Sequence, residues 1–171
     1  MQYRFQHTSP NTNLSVEARR LVCKLAHIKN PEQFIQDSLV DRTIKANGFY
    51  WSVSHKPEYV AAAISSVPIG VDIELNVSRS HELLKTFSVP DWKTFYRHWV
   101  CKEALIKLLQ LTIHDMPRIQ IEHEEENSVL VSYQQNHYTC LVEQNETITL
   151  AVVEQNTQNQ NLVPDGDQSH G

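Results

Sequence analysis

Apolar residues in the first part of the chain recur at three- and four-residue steps, the spacing that one face of a helix requires. This periodicity predicts a first helix over residues 15–29, with Ser15 as its cap. Pro31 suits the first turn of a second helix over residues 31–44, and Asn47-Gly48 is a typical stop signal after it. The N-terminal part of the chain is therefore predicted to be mainly helical.

Further along, the period changes from that of a helix to that of a strand. Alternating apolar and polar positions predict three strands, over residues 49–55, 59–65 and 69–75. Helical periodicity returns over residues 91–110, where Asp91 can cap the start. The last third alternates again and predicts a meander of strands over residues 118–123, 128–133, 137–143 and 147–153. This order indicates the α+β class, with an antiparallel or mixed sheet packed against a long helix.

Composition limits the classes of protein to consider. The 171 residues suffice for one domain, or for two small lobes that share a core. No apolar run approaches the length of a bilayer span, and the N-terminus lacks the pattern of a secretory signal. Cys23, Cys101 and Cys140 are widely separated and fit neither a disulfide framework nor a metal knuckle. A cytoplasmic protein without a membrane partner is expected.

Charge is distributed unevenly along the chain. Residues 1–118 contain all 15 basic residues but only 11 of the 20 acidic ones, so the last third is acidic. A mildly basic body suits an anionic ligand or an acidic partner. The basic surplus is small, and no stripe of Lys and Arg alternates with aromatic residues. Nucleic-acid binding is therefore not expected.

Two carboxylates interrupt the apolar run IGVDIEL over residues 69–75. Strand alternation places Asp72 and Glu74 on one face, together with Gly70. Neighbouring carboxylates repel each other and resist burial unless something positive lies between them. The pair indicates either a solvated strand face or two ligands of a hard metal ion.

A second charged pair lies in the predicted helix over residues 91–110. Glu103 and Lys107 are four residues apart and share a face with Trp99. On an exposed helix they would form a surface ion pair worth only about 0.3–0.5 kcal/mol. The apolar residues around them favour partial burial, which would let Glu103 join the two strand carboxylates. Three carboxylates suit Mg²⁺ with substrate phosphates, whose remaining charge Lys102 and Lys107 would hold.

Together these segments resemble the paired signature of 4′-phosphopantetheinyl transferases. Gly70-Val71-Asp72-Ile73-Glu74 is followed at a suitable distance by Trp99-Val100-Cys101-Lys102-Glu103-Ala104-Leu105-Ile106-Lys107. Ser52-Val53-Ser54-His55, before both, is similar to a strand end of the surfactin-synthetase-activating branch. The resemblance implies a transfer of the phosphopantetheine arm of coenzyme A to a serine of an acyl or peptidyl carrier protein, with release of 3′,5′-ADP.

The resemblance also implies a role for each matching residue. Asp72, Glu74 and Glu103 would hold Mg²⁺ against the diphosphate of coenzyme A. Glu103 would also accept the proton of the incoming serine, and Lys107 would neutralise charge on the leaving phosphate. His55, with Ser54, would contact the nucleotide end, including the 3′-phosphate. The full set expected to contact coenzyme A is Ser54, His55, Lys102, Lys107, Lys45 and Lys29, the last two by loose similarity.

The same resemblance implies a pseudo-two-lobed fold with a shortened N-terminal lobe. Residues 1–48 would form this reduced lobe, and residues 49–154 the lobe that carries the metal and coenzyme A site. Residues 155–171, polar and rich in Asn and Gln, are predicted to form a disordered tail. The chain lacks the family's Gly-Lys-Pro turn, for whose lysine Lys45 is a candidate substitute. A second copy of the chain could supply the missing strand, so monomer and homodimer both stay open.

Other functions stay open as well. The shortened lobe also fits a non-catalytic module that binds coenzyme A or a carrier protein. A metal-dependent phosphohydrolase fits less well, because a two-metal centre usually needs more ligands, often histidines. From Arg79 to Lys107 the chain has six basic residues against three acidic ones, which would favour an acidic carrier protein.

Overall fold

The computed structural model of the protein describes residues 1–155 and shows an α+β fold with two antiparallel sheets. Its elements, in chain order, are β1 (Gln2–His7), α1 (Leu14–Leu25), α2 (Pro31–Val40), β2 (Tyr50–Lys56), β3 (Tyr59–Ser65), β4 (Ile69–Leu75), α3 (His81–Thr86), α4 (Trp92–Leu109), a 3-10 turn (Ile113–Arg118), β5 (Gln120–Glu124), β6 (Ser128–Tyr133), β7 (Asn136–Gln144) and β8 (Ile148–Glu154). The α+β class predicted from the sequence is confirmed. The disordered tail predicted for residues 155–171 lies outside the described residues, except for Gln155.

The first sheet has the strand order β1-β3-β2, with both pairings antiparallel. Helices α1 and α2 cover one face of it, where Val60, Ala62 and Ile64 of β3 pack in one core with Leu21 and Val22 of α1. The helices of the N-terminal lobe, predicted to end at residue 48, thus share a core with β2 and β3, and β1 joins the same sheet.

The second sheet has the strand order β4-β8-β7-β6-β5, and all its pairings are antiparallel. Helix α4 packs on one face, in a core with residues such as Val129, Cys140 and Val153. The other face packs against β3 of the first sheet, where the buried residues include Ala61, Ala63, Val71, Ile73, Leu150 and Val152. The layers therefore run helices, sheet, sheet, helix. Within residues 1–155, no helix combines the length and apolar character needed to cross a membrane.

The close packing of α4 on β4 depends on Gly70. A Cβ at this position would lie 2.0 Å from the carbonyl oxygen of Ala104 and 2.9 Å from the backbone nitrogen of Leu108. Only a residue without a side chain lets the helix backbone approach the strand this closely. The approach brings Glu103 and Lys107, which flank the contact on α4, toward the acidic residues of β4.

Strand β4 also contacts β2, through side chains rather than a backbone ladder. The hydroxyl oxygen of Ser52 accepts a hydrogen bond from the backbone N–H of Val71 at 3.1 Å. The hydroxyl oxygen of Ser54 accepts one from the N–H of Ile73 at 3.3 Å. The two serines thereby satisfy backbone donors on the outer edge of β4 and join the two sheets beside the acidic residues.

Element boundaries differ from the sequence-based predictions at several points. Asn13 rather than Ser15 caps α1, and a positive φ of 51° at His27 follows the end of this helix, short of the predicted residue 29. Helix α2 ends at Val40 instead of residue 44. The cap predicted at Asp91 is confirmed, because its side chain accepts from the N–H of Thr94 at 2.7 Å. β1, α3 and the 3-10 turn have no counterpart among the predicted elements.

Candidate functional site

A cavity of about 380 Å³ lies where β2, β4, α1 and α4 meet. The acidic side chains that line it are Asp72, Glu74 and Glu103. The basic ones are Arg19, Arg42, Lys56 and Lys107. The remaining wall is formed by Ser15, Val53, Ser54, His55 and Trp99. Acidic and basic groups thus surround one space.

Asp72 is held at one oxygen and left free at the other. It is 4% exposed, and its Oδ1 accepts hydrogen bonds from the Ser54 hydroxyl and the Lys107 ammonium, each at 2.8 Å. Its Oδ2 is buried and has no hydrogen-bond partner among residues 1–155. Burial of an unpartnered carboxylate oxygen is costly, so this atom favours a cationic ligand.

Glu74 is similarly buried, at 5% exposed, and forms an ion pair with Lys56, a residue not predicted from the sequence. Its Oε1 lies 2.8 Å from Nζ of Lys56 and accepts a hydrogen bond from the Trp99 indole at 3.2 Å. Burial raises the pKa of Glu74, Asp72 adds to this increase, and Lys56 opposes it. Because both strand carboxylates are buried, the alternative of a solvated strand face is wrong.

Glu103 completes the acidic set from helix α4. Its pKa is raised, first by burial and then by the negative charge of Asp72 and, more weakly, of Glu74, while Lys107 acts in the opposite direction. Glu103 lines the same cavity as the two strand acids, and their negative charges disfavour its ionised form. A carboxylate with a raised pKa is a stronger base than an ordinary surface glutamate.

Lys107 does not form the surface ion pair with Glu103 that the four-residue spacing allows. Its ammonium instead donates to Asp72 at 2.8 Å and to the backbone carbonyl of Val71 at 2.9 Å. Its side chain is 29% exposed, so the ammonium also has access to the cavity. Lys107 thus ties α4 to β4 and neutralises one of the strand acids.

Two arginines supply further positive charge without a carboxylate partner in the described part of the chain. Arg19 is 5% exposed; its guanidinium donates to the Ser15 hydroxyl at 2.6 Å and to the carbonyl of Ser38 at 3.3 Å. Its Nε is buried and unpartnered among residues 1–155. Burial, and then the charge of Arg42, lowers the pKa of Arg19. Two neighbouring guanidinium groups with unused donors favour an anion, phosphate above all.

His55 lies in the same basic environment. Desolvation, followed by the charges of Lys107, Lys56 and Arg19, lowers its pKa below the usual range. The imidazole is therefore neutral at neutral pH and offers the cavity a hydrogen bond rather than a charge.

The structure brings most of the predicted site residues into this cavity, namely Ser54, His55, Asp72, Glu74, Glu103 and Lys107. Three predicted lysines lie elsewhere. Lys45 lines a neighbouring cavity of about 960 Å³ and packs over the ring of Tyr50. Lys102 lies 5.9 Å from the ring of Phe87 and lines neither cavity. Lys29 is exposed and also lines neither.

Arg19, Arg42 and Lys56 were not among the site residues predicted from the sequence. A signal existed for two of them. Arg19 follows Ser15 by four residues, so the two stack on one side of α1 beside its apolar stripe. Lys56 follows Ser52 and Ser54 at steps of two along β2 and so shares their face, which meets β4. Arg42 follows α2 in a segment without periodicity, and no local pattern marks it.

The donor set fits a hard divalent cation, but its members are not assembled around one. Across residues 1–155, no group of three His, Cys, Asp or Glu side chains converges closely enough to hold a metal ion. The ammonium groups of Lys107 and Lys56 form ion pairs with Asp72 and Glu74, respectively. The free Oδ2 of Asp72 and the all-carboxylate chemistry nevertheless suit Mg²⁺, which prefers oxygen ligands.

Comparison with known proteins adds no identity to this geometry. No protein-family model matches the chain, and no curated protein is similar enough to count as a relative.

Proposed function

We propose that the protein is a Mg²⁺-dependent 4′-phosphopantetheinyl transferase with a shortened N-terminal lobe. It would transfer the phosphopantetheine group of coenzyme A to a serine hydroxyl of an apo acyl or peptidyl carrier protein and release 3′,5′-ADP. The observation that carries the proposal is one cavity lined by Asp72, Glu74 and Glu103 together with Lys107 and a pair of arginines. Three carboxylates beside unpaired guanidinium groups suit a metal-bound diphosphate and a further phosphate.

Two adjoining cavities support the proposal of a large ligand such as coenzyme A. They adjoin at Arg42 and Lys107, which line both. The smaller one supplies charge, and the larger one supplies apolar surface from side chains such as Trp51, Ile106 and Leu109. Ligand sites commonly combine apolar walls with a few convergent polar groups. We assign the diphosphate to the smaller cavity and the less polar parts of the ligand to the larger.

In the proposed reaction, the acidic wall of the cavity would supply the proton acceptor. The serine oxygen of the carrier would attack the phosphorus attached to pantetheine, and the bond from that phosphorus to the bridging oxygen of the diphosphate would break. Glu103, whose pKa is raised, would accept the serine proton. Lys107 would balance the charge that develops on 3′,5′-ADP as it leaves.

Mg²⁺ would be held by Asp72, Glu74 and Glu103 and would neutralise part of the charge on the diphosphate. The metal ion would meet the free Oδ2 of Asp72 directly, whereas at Oδ1 of Asp72 and Oε1 of Glu74 it would compete with the ammonium groups of Lys107 and Lys56. The side chains of both lysines are partly exposed, at 29% and 35%, so they can move into the cavity without unfolding the strands.

A transfer assay tests the proposal. The protein is incubated with coenzyme A, Mg²⁺ and a broad panel of apo carrier proteins, and each carrier is weighed by mass spectrometry. We expect the mass of one phosphopantetheine on a carrier serine, and its loss when Mg²⁺ is chelated. Asp72→Asn, which preserves the side-chain shape, should abolish transfer while the protein stays folded by circular dichroism. An unchanged carrier mass over the whole panel would contradict the proposal.

A non-catalytic module that binds coenzyme A is the second candidate. The observation that favours it is the pairing of both strand acids with lysine, which leaves no assembled metal group among residues 1–155. Titration calorimetry separates the two functions. Binding of coenzyme A that is indifferent to Mg²⁺, with no transfer to any carrier, would select the binding module.

A further inference from the structure

Lys56 places a positive charge against a buried acid of the proposed metal site. Its ammonium lies 2.8 Å from Oε1 of Glu74, whose side chain is only 6% exposed. The Trp99 indole donates to the same oxygen at 3.2 Å. Lys56 ends β2, and its own side chain is 35% exposed, so its ammonium has a route into the cavity and to solvent.

The net charge of the cavity determines how the Lys56–Glu74 ion pair would affect metal binding. Four basic side chains line the cavity, Arg19, Arg42, Lys56 and Lys107, against three acidic ones. The walls therefore carry a net positive charge before any metal ion enters. A divalent cation that entered alone would increase this surplus, whereas a cation that entered with an anionic ligand would not.

We propose that the ammonium of Lys56 pairs with the Glu74 carboxylate in the ligand-free protein. When a divalent metal ion binds Glu74 instead, the ammonium moves to a phosphate group of the ligand. Lys56 thereby makes metal binding depend on the phosphate ligand. The choice of coenzyme A as that ligand rests on the proposed function, whereas the competition between Lys56 and metal for Glu74 does not.

Two consequences distinguish Lys56 from a lysine that merely stabilises the fold. Removal of its charge should strengthen the binding of a metal ion alone, because the competitor for Glu74 is gone. The same change should weaken the cooperation between metal and phosphate ligand, because the ammonium that moves between them is missing. In each variant, linked binding requires that coenzyme A changes the affinity for the metal by the same factor as the metal changes the affinity for coenzyme A.

The test measures Mn²⁺ binding to the full chain from the electron paramagnetic resonance signal of the free ion, with and without coenzyme A. Lys56→Met removes the charge and keeps most of the side-chain length. Lys24→Met, on the exposed side of α1 and outside both cavities, is the matched control. We expect Lys56→Met to bind Mn²⁺ alone about tenfold more tightly than the wild type, and Lys24→Met to leave the affinity unchanged.

A second variant ties the effect to Glu74. In a Glu74→Gln background, Lys56→Met should no longer change the affinity for Mn²⁺, because no carboxylate remains to compete for. Unchanged or weaker Mn²⁺ binding by folded Lys56→Met would overturn the inference, even if the transfer assay succeeds. A tighter affinity in Lys56→Met with no transfer and no effect of coenzyme A would instead leave the competition at Glu74 standing and remove the proposed function.

Discussion

Gly70→Ala is the substitution that tests most directly how the fold builds the site. Gly70 lies on the same face of β4 as Asp72 and Glu74, where α4 packs against the strand. A Cβ at this position would meet the carbonyl oxygen of Ala104 at 2.0 Å, whereas ordinary contact begins at 3.4 Å. The contact is with helix backbone, so no side-chain rotation relieves it. The helix, the strand or both must move apart.

The size of the effect follows from that distance. The helix must retreat by about 1.4 Å, the difference between 2.0 Å and the 3.4 Å of ordinary contact. Overpacking of this kind costs about 1–3 kcal/mol of unfolding free energy, which lowers the melting temperature by about 2–12 °C in a protein of this size. The same movement carries Glu103 and Lys107 away from Asp72. Displacement of catalytic groups by about 1 Å can reduce a rate about 100-fold.

Thermal melting and the carrier-transfer assay, run on the same preparations, separate the two consequences. Gly48→Ala is the matched control, because Gly48 has a positive φ of 87° in the turn before β2 and open space around it. It should cost comparable stability through backbone strain and leave transfer near the wild-type rate. Wild-type melting and wild-type transfer in Gly70→Ala would refute the argument that close packing at Gly70 positions α4.

Three further predictions concern single charges. Glu103→Gln should abolish transfer yet raise the melting temperature at neutral pH. Because the pKa of Glu103 is raised in the folded protein, the folded state binds more protons than the unfolded state between the ordinary and the raised pKa. The stability of the wild type therefore falls as the pH rises through that window, and a neutral glutamine avoids this loss. The stabilisation should shrink as the pH is lowered to the ordinary glutamate range, and a pH-independent difference would contradict it. Arg42 lines the smaller cavity, and we assign to it the 3′-phosphate of coenzyme A. Arg42→Met should weaken coenzyme A binding in calorimetry about 10-fold or more, because a charge-assisted hydrogen bond contributes about 1.5–3 kcal/mol. It should also reduce the preference for coenzyme A over its 3′-dephospho form; equal affinity to the wild type would refute this assignment. Arg97→Ala should lower the melting temperature without changing the salt dependence of carrier modification, because Arg97 is bound to Glu124 and to the carbonyls of Glu125 and Glu126 rather than free to attract a partner; a flatter salt dependence would show that it steers the carrier.

Not all of the basic residues from Arg79 to Lys107 are available to a binding partner in the folded protein. Arg97, one of its six basic residues, holds the segment that follows β5, and its side chain is only 11% exposed. Lys107 lies on Asp72 inside the cavity. A charge count along the sequence treats all six as available to a partner, which the packing of these two does not support.

Local sequence patterns were sufficient to predict several helices and strands. Alternation fixed strands β2, β3 and β4 to within a residue of their observed bounds, and three- and four-residue spacing fixed α4 to within a residue of both ends. These patterns survive without tertiary information because the side chains of one strand or helix face share a single environment. The acidic residues of the site follow from the same local reasoning, since Asp72 and Glu74 occupy one face of β4.

Elements with weak local patterns were decided by tertiary contacts. Strand β1 contains only six residues, and it is stable because β3 pairs with it and because Tyr3 and Phe5 pack against the core between the sheets. At the end of α4, Gln110 adopts the left-handed conformation, with φ at 55°, that a glycine usually provides. The backbone N–H of Gln110 donates to the carbonyls of Ile106 and Lys107 in the last turn. The packing of the helix outweighs the small cost of the left-handed conformation.

The charge pairing of the site was decided by the tertiary structure alone. Helical spacing pairs Lys107 with Glu103, yet the ammonium lies on Asp72, because the absence of a side chain at Gly70 brings the helix onto the strand. Lys56 reaches Glu74 across the junction of two sheets. Coulomb energy depends on distance and burial in three dimensions, and positions far apart in the chain acquire both only when the layers pack.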